Sequence, residues 1–225
     1  MKRELDGASI VLAGATGVLG QAIGRRLAKG GARLVLFGRN EGRLATLDLP
    51  GPRVVGDLAD SQACASAVAA AVSSNGALDG VVNAAGVVAF GTIEELTDEV
   101  VDELLATNLL GPLRLARAAV PVLAEGGFLA NLSAVVAENP MPGMAFYSAT
   151  KGALTALDRA LAKELRRRRI DVLDLRPPHT ETGLAHRPIA GSPPRLAEGR
   201  SPDAVAERIV AAIAAGEREV GSDAF

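Results

Sequence analysis

The sequence predicts an α/β protein built on one doubly wound parallel sheet, and three observations predict it. Short apolar runs alternate with longer Ala- and Leu-rich segments along the chain, which is typical of βαβ units. A glycine-rich segment, Ala13 to Gly20, separates the first apolar run from the first helical segment. The chain has 225 residues, enough for one large domain. We therefore expect a single domain over residues 1–225.

Each expected element follows from its own local pattern. The strands are short apolar runs, expected at Ser9–Ala13, Arg33–Phe37, Arg53–Val55, Gly80–Asn83, Gly127–Leu132 and Asp171–Leu175. The helices are longer and near the length that a crossover needs, expected at Val18–Lys29, Ser61–Ser73, Asp98–Ala124, Phe146–Arg168 and Asp203–Ala215. Ser201 and Pro202 suit the N-cap and the first position of the last helix.

The segment after the sixth expected strand is rich in proline. It contains Pro177, Pro178, Pro188, Pro193 and Pro194. Because proline has no backbone N–H and cannot continue regular structure, the pattern predicts a substrate loop at about residues 178–200. We expect this loop to lack backbone pairing and to be the most mobile part of the protein.

Composition narrows the function classes. A formal net charge of −2 gives no electrostatic reason to expect nucleic acid or an anionic membrane as partner. The single Cys64 excludes an internal disulfide, and no Cys/His cluster has metal-ligand spacing. No apolar stretch approaches the roughly 18 residues of a membrane span. We therefore expect a cytoplasmic, metal-free protein that binds a small molecule.

The glycine-rich segment is typical of a phosphate-binding turn. Glycine permits the tight turn and lets backbone approach a pyrophosphate, while the helix N-terminus offers free N–H groups and a positive dipole end. At the start of a doubly wound sheet, the turn indicates the dinucleotide site of a Rossmann fold, although an ordinary βα turn is the alternative. The expected contacts are Gly14, Thr16, Gly17, Val18, Leu19 and Gly20.

The end of the second expected strand indicates which cofactor is preferred. An acidic side chain there binds the ribose 2′-hydroxyl of NAD, whereas a cation accommodates a 2′-phosphate. The chain has Gly38 followed by Arg39, whose guanidinium can form a charge-assisted pair with phosphate. This favours NADP(H); the alternative is that Arg39 is only a solvated surface cation.

Tyr147 and Lys151 form a candidate catalytic pair. They are four residues apart in one expected helix and so share a face. A cation about 4 Å from the phenol, at an effective dielectric constant of ~20, would contribute ~4 kcal/mol and lower the pKa by about three. We therefore expect Tyr147 to be poised near neutrality, where a general acid/base works best.

Further polar residues are expected at the same edge of the sheet. Ser133 directly follows the fifth expected strand, and Asn83 ends the fourth. Asn108 is followed closely by Gly111 and Pro112, which predicts an irregular helix at that point. Ligands of open α/β sheets bind at the carboxyl ends of the strands, so these side chains are candidates for substrate contact.

The ordered set of these motifs resembles the short-chain dehydrogenase/reductase family from about Ser9 to Thr182. The resemblance implies a catalytic tetrad in which Tyr147 is the proton donor, Lys151 modulates it and binds the ribose, and Ser133 binds the substrate oxygen. Asn108 would hold a relay water. It also implies further cofactor contacts at Asp57, Leu58, Asn83, Ala84, Ala85, Gly86, Pro177 and Thr182, with Asp57 at the adenine and Thr182 at the nicotinamide carboxamide. A homodimer or homotetramer is implied as well.

Two departures from the family pattern leave alternatives open. Val18 stands where the main branch has glycine, so the glycine spacing is more similar to the extended branch, which includes epimerases and dehydratases. Pro178 replaces the family's glycine after the sixth strand. The leading hypothesis is hydride transfer between NADP(H) and a carbonyl or alcohol. The alternatives are a catalytically idle NADP(H)-binding regulator and an epimerase or dehydratase.

The substrate is not identified by the sequence. Apolar residues flank the expected catalytic segments and indicate an apolar pocket, at Val88, Phe90, Met141, Pro142, Met144 and Phe146.

Overall fold

The computed structural model describes residues 3–225, and its described part forms one seven-stranded parallel sheet in the order β3-β2-β1-β4-β5-β6-β7. The strands are β1 (Ser9–Ala13), β2 (Arg33–Gly38), β3 (Arg53–Val55), β4 (Leu78–Asn83), β5 (Leu123–Leu132), β6 (Asp171–Leu175) and β7 (Glu219–Val220). The α-helices are α1 (Val18–Lys29), α2 (Glu41–Ala45), α3 (Ser61–Asn75), α4 (Asp98–Leu105), α5 (Gly111–Ala119), α6 (Ala145–Glu164) and α7 (Pro202–Ala215). This is the doubly wound α/β fold that the sequence predicts.

The strand order reverses between β1 and β4. Ala13 at the end of β1 lies opposite Phe37 of β2 on one side and Asn83 of β4 on the other. The three strands therefore end at the same level, and the glycine-rich turn after Ala13 lies at the switch point of the sheet. A crevice outside the carboxyl ends of the strands forms there in doubly wound folds.

Both faces of the sheet are covered by helices. Along β1 the side chains alternate, so that Ile10 and Leu12 pack towards α1 and α7, while Val11 faces the opposite layer with α3 and α5. Because neighbours on both faces exclude water, β1 and β6 are buried along their whole length, as is common in parallel sheets. The result is a rigid support for the residues at the carboxyl edge.

The expected long helix over Asp98–Ala124 is wrong in its C-terminal part. β5 begins at Leu123, which pairs with Leu78 of β4, after a short 3₁₀ turn that contains Pro121. The apolar run before Leu123 continues a helical pattern, but Leu123 has a backbone partner in β4 and Gly126 adopts φ of 82°. Tertiary pairing therefore decides the conformation of this stretch.

The irregularity expected at Asn108 is confirmed. Between α4 and α5 the backbone forms a π-helix over Ala106–Leu110. Such single-turn widenings are common at functional sites because they redirect side chains. Here the widening carries Asn108 inward, where its side chain is fully buried.

Two short elements were not expected. Helix α2 follows β2 directly, and Asn40 caps it by accepting a hydrogen bond from the backbone N–H of Arg43 at 2.8 Å. Strand β7 adds two residues to the edge of β6. Neither is long enough to show a hydrophobic period.

The proline-rich segment forms no helix or strand, yet the expectation that it lacks backbone pairing is wrong. The N–H of Ile189 donates to the carbonyl of Val88 at 2.9 Å, and the N–H of Phe90 donates to the carbonyl of Ala190 at 3.0 Å. Leu184 packs against the buried apolar cluster that contains Val88 and Phe90. The pairing residues lie between the prolines, which leaves their N–H and C=O groups available.

We expect hydrogen exchange to divide this segment into two parts. The amide of Ile189 in this segment and the amide of Phe90 opposite it are hydrogen-bonded. Both should exchange more slowly than residues 195–198, which follow Pro193 and Pro194. Addition of NADP(H) should slow exchange at residues 195–198. Exchange measured by mass spectrometry with and without cofactor tests this; core-like protection of residues 195–198 without ligand would contradict it.

Within residues 3–225, no helix combines the length and the apolar character needed to cross a membrane.

Candidate active site

A cavity of about 620 Å³ opens at the carboxyl edge of the sheet. It is bounded by the β1–α1 turn, the ends of β2, β4 and β5, helix α6 and the loop after β6. Most residues predicted for the site line it: Gly14, Thr16, Gly17, Val18, Leu19, Gly20, Arg39, Asp57, Leu58, Ala84, Ala85, Gly86, Ser133, Tyr147, Lys151, Pro177 and Thr182. Asn83 and Asn108 lie behind its wall. In the described part of the chain, no group of three or more His, Cys, Asp or Glu side chains is placed to hold a metal ion.

The glycine-rich turn is held tightly against the segment after β4. Gly14 has φ of 75°, and a Cβ placed there would be 2.5 Å from the backbone nitrogen of Ala85. A Cβ at Gly20 would collide with the carbonyl oxygen of Gly14. Glycine is therefore required at Gly14 by conformation and by space, and at Gly20 by space alone.

Replacement of Gly14 by Ala is expected to lower the free energy of unfolding by about 2–4 kcal/mol, because positive φ and overpacking both oppose the new methyl group. The cofactor dissociation constant should rise as well. Gly152→Ala is the matched control, since a Cβ at this helical glycine meets nothing within 4 Å and should be neutral or slightly stabilising. Urea unfolding of both variants tests this; an equal midpoint for the two would contradict it.

Two arginines lie at the rim where β2 ends. The guanidinium of Arg39 is exposed and lies 3.6 Å from the carboxylate of Asp57. Arg43, on α2, donates from Nη2 to the carbonyl of Thr16 at 2.6 Å. Sequence reasoning missed Arg43; the signal was Asn40, a good N-cap residue three positions before Arg43.

Asp57 is fixed by its own backbone environment. One carboxylate oxygen accepts a hydrogen bond from the N–H of Ala59 at 2.8 Å, and the other faces Arg39. The side chain therefore stands at the cavity rim with its charge partly balanced.

Asn83 does not line the cavity but binds a residue that does. Its Oδ1 accepts from the N–H of Ala85 at 3.2 Å, and its Nδ2 donates to Oδ1 of Asn131 at 3.4 Å. Asn131 in turn donates to the buried carboxylate of Asp158 at 2.6 Å. These contacts place Ala84 and Ala85 against the glycine-rich turn.

Both ends of the Asn108 amide bind the backbone of Val87. The N–H of Val87 donates to Oδ1 at 3.0 Å, and Nδ2 donates to the carbonyl of Val87 at 2.9 Å. Nδ2 also lies 3.3 Å from the hydroxyl of Thr150. In this structure the side chain therefore fixes the segment after β4.

Tyr147 and Lys151 lie one turn apart on α6, and both are buried. Lys151 Nζ donates to the carbonyl of Leu132 at 2.9 Å and lies 5.9 Å from the centre of the Tyr147 ring. The expectation that Tyr147 is poised near neutrality is wrong for this arrangement, because burial raises the pKa of Tyr147 to about 12. Burial also lowers the pKa of Lys151 to about 8, although Asp174 and Asp158 oppose the decrease. The four-residue spacing predicted that Tyr147 and Lys151 share a face of the helix, but it could not predict that burial would remove water from both side chains.

Ser133 lies just beyond β5 and contacts a carboxylate that sequence reasoning missed. Its Oγ donates to Oδ1 of Asp174 on β6 at 2.5 Å and is 3.3 Å from the carbonyl oxygen of Leu175. The sequence signal was a charged residue between the apolar residues Leu173 and Leu175 of this strand.

The remaining wall of the cavity is largely apolar. Of the apolar residues that the sequence indicated, Val88, Phe90, Met141 and Met144 line it, whereas Pro142 and Phe146 do not. The proline-rich segment contributes the apolar residues Leu184, Ala185 and Leu196, together with the polar side chains of His179, Thr180 and Arg187. A ligand that reaches Tyr147 would therefore meet hydrocarbon on this side.

Known proteins similar to this chain share its fold and motifs. The sequence profile of the short chain dehydrogenase family matches residues 8–190. An uncharacterized oxidoreductase of Methylorubrum extorquens is 37% identical over 198 residues, which are 84% of this chain and 80% of the relative.

Solved structures give the same result. A short chain dehydrogenase from Burkholderia cenocepacia in complex with NADP aligns with a TM-score of 0.84 and 25% identity, covering 98% of each chain. A 3-ketoacyl-(acyl-carrier-protein) reductase from Brucella melitensis complexed with NADH aligns with a TM-score of 0.86 and 26% identity, covering 98% of this chain and 99% of the other. This chain therefore belongs to the short-chain dehydrogenase/reductase family of oxidoreductases.

Proposed function

We propose that the protein is an NADP(H)-dependent oxidoreductase that interconverts an apolar carbonyl compound and its alcohol, with Tyr147 as general acid/base. The observation that carries this proposal is that one cavity is lined by the Gly14 turn, by Arg39 and by the Ser133, Tyr147 and Lys151 side chains. The residues proposed to bind the dinucleotide and those proposed to transfer the proton therefore line the same cavity.

The residues at the glycine-rich turn fit a dinucleotide. The turn lines the cavity, and α1 begins beside it with no acidic residue in its first turn. The positive end of that helix favours an anionic pyrophosphate. Arg39 and Arg43 supply two cations at the end of β2, where a 2′-phosphate would lie. When bound, the nicotinamide supplies or accepts the hydride.

The protein's own side chains would move and stabilise the proton. Tyr147, with its raised pKa, is protonated at neutral pH and can donate to a substrate oxygen during reduction. Lys151 is mostly charged at pH 7, and its ammonium group stabilises the phenolate that remains. In the oxidation direction the same phenolate takes the proton back.

The pH dependence of turnover should follow Lys151. The protonated form of Lys151 is the charged one. Its stabilisation of the phenolate is therefore complete well below pH 8 and is lost as the pH rises through the pKa of about 8. We expect kcat for carbonyl reduction to fall across this range in the wild type. In Lys151→Ala this fall should be absent, kcat should be low throughout, and cofactor binding should weaken. Persistence of the same alkaline limb in Lys151→Ala would exclude this assignment.

Assembly and location are part of the same proposal. Leu105 and Leu110 are exposed on the helices around Asn108, with 37% and 38% of their surface accessible, which supports a homodimer or homotetramer formed there. Light scattering of the wild type and of a Leu105→Glu, Leu110→Glu double variant tests the assembly.

The free Cys64 is buried, and burial raises its pKa to about 11, which is compatible with a reducing cytoplasm.

A panel of apolar ketones, aldehydes and alcohols, followed by NADPH absorbance, tests the activity. We expect consumption of NADPH with at least one carbonyl and much slower consumption with NADH. Cofactor binding without any turnover would favour the regulator. A product at unchanged oxidation state, with the cofactor recycled, would favour an epimerase or dehydratase.

A further inference from the structure

Arg187 is a cationic side chain in the largely apolar part of the cavity wall. It lines the cavity from the proline-rich segment, as Ala185 does. Ala185 and Ile189, on either side of Arg187 in the chain, pack against the buried apolar cluster that contains Met144 and Tyr147. The neighbours of Arg187 therefore belong to the wall around Tyr147, where the substrate is proposed to react.

Backbone carbonyls hold the guanidinium group of Arg187 in place. Its Nε donates to the carbonyl of Gly183 at 3.2 Å, and its Nη2 donates to the carbonyl of Thr182 at 3.3 Å. The backbone N–H of Arg187 donates to the carbonyl of Leu184 at 3.0 Å, which closes a turn and brings the side chain back towards residues 182 and 183. Because the N–H groups of Nη1 take no part in these contacts, they are available to an acceptor in the cavity.

Two other basic side chains of the cavity wall face a carboxylate. Arg39 lies 3.6 Å from Asp57, and His179 Nε2 lies 3.4 Å from Glu181. Arg187 forms no ion pair with any carboxylate of residues 3–225, and its side-chain contacts are with carbonyl oxygens. Those carbonyls orient the guanidinium but carry no net charge, so the positive charge of Arg187 is not neutralised.

A guanidinium of fixed orientation and unneutralised charge favours an anionic partner. Arginine pairs with carboxylate through charge-assisted hydrogen bonds, which are roughly twice as strong as neutral ones. Hydrocarbon beside the pair strengthens the attraction, because the effective dielectric constant falls as water is excluded. One unpaired cation matches one negative charge, so a carboxylate fits better than a doubly charged phosphate.

We propose that Arg187 binds a carboxylate of the substrate, and that the site takes an apolar carbonyl compound with a carboxylate remote from the reacting carbonyl. Phe90 and Leu184, which line the cavity, would contact the hydrocarbon between the two groups. The inference rests on the proposed function for the reacting carbonyl. Binding of a carboxylate belongs to the protein alone and can be measured without turnover.

The first test measures binding to the protein saturated with NADP⁺. Octanoate and its neutral isostere octanamide are titrated into the wild type, Arg187→Gln and Arg187→Lys by calorimetry. We expect the wild type to bind octanoate about tenfold more tightly than octanamide, the effect of one hydrogen bond to a charged group, and Arg187→Gln to bind both equally. Arg187→Lys should retain part of the preference, because it keeps the charge but loses the planar fork. Equal binding of both compounds by the wild type, or full preference in Arg187→Gln, would overturn the inference.

Arg195→Gln is the matched control. Arg195 lies in the same segment, is exposed and does not line the cavity, so its replacement removes the same charge without removing the contact. It should keep the wild-type preference for octanoate, and the NADPH dissociation constant of Arg187→Gln should stay within about twofold of the wild type. An equal loss of preference in Arg195→Gln would indicate a long-range charge effect, and a large loss of NADPH affinity in Arg187→Gln would assign Arg187 to a cofactor phosphate. Either result would overturn the inference.

The second test measures turnover of a ketone that carries a carboxylate and of its methyl ester. In the wild type kcat/KM should be higher for the acid. Arg187→Gln should lower kcat/KM about tenfold for the acid, mainly by raising KM, and leave the ester unchanged. Equal kcat/KM for acid and ester in the wild type would overturn the inference while the proposed function stands. Preferential binding of octanoate by a wild type that reduces no carbonyl would refute the proposed function and leave the carboxylate site in place.

Discussion

Replacement of Tyr147 by Phe is expected to lower kcat on the order of 10²–10⁴-fold while the dissociation constant for NADPH stays within about twofold. The change removes only the phenolic oxygen, and the aromatic ring continues to fill its buried position on α6. Without that oxygen, no group in the proposed mechanism donates a proton to the substrate. Steady-state kinetics and fluorescence titration of NADPH measure the two quantities separately.

Phe146→Leu is the matched control for Tyr147→Phe. Phe146 is the adjacent aromatic residue on α6 and does not line the cavity, so its replacement should leave kcat close to the wild-type value. Full activity of Tyr147→Phe would refute the assignment of Tyr147 as proton donor. A large loss of NADPH affinity in that variant would show that the ring or its hydroxyl serves the cofactor instead.

Replacement of Arg39 by Asp is expected to weaken NADPH binding on the order of 10²-fold and to leave NADH binding nearly unchanged. The substitution removes a charge-assisted partner of the 2′-phosphate and adds a repulsive charge, and together these effects exceed the roughly 1.4 kcal/mol that corresponds to a tenfold change. Arg43 remains at the rim and should preserve part of the affinity.

Titration of both cofactors into the wild type and Arg39→Asp measures this effect. Arg167→Asp makes the same change in net charge at an exposed position outside the cavity, so it should leave both affinities unchanged. Equal or tighter binding of NADH by the wild type would contradict the proposed preference for NADP(H). So would an equal loss of NADPH affinity in the two variants.

The parts of the fold that were predictable are those specified by neighbouring residues. The bounds of β1, β3, β6 and α1 agree with the expected ones, because each is a continuous apolar or amphipathic run ended by glycine, proline or polar residues. The glycine-rich turn was predictable for the same reason. Helix α2 and strand β7 were not, since five and two residues carry no measurable period.

The parts of the site that were not predictable depend on contacts between distant segments. The register of β5 and β6 brings Ser133 beside Asp174, and nothing in either segment alone indicates that pair. The pKa of Tyr147 depends on burial by several elements, so a local calculation from Lys151 gave the wrong direction. The backbone contacts of Ile189 with Val88 likewise join segments about 100 residues apart, and local sequence patterns do not indicate contacts at such a separation.

Transfer of hydride between the nicotinamide and a carbonyl carbon is the central claim, and isotope transfer tests it most directly. The wild-type protein is incubated with NADPH dideuterated at nicotinamide C4 and with the carbonyl that the panel identifies, and the product is analysed by mass spectrometry and NMR. We predict one deuterium on the new carbinol carbon for each NADPH consumed, and no such product with Tyr147→Phe over the same time. An alcohol without deuterium at that carbon, or a product formed while NADPH is not consumed, would contradict the claim.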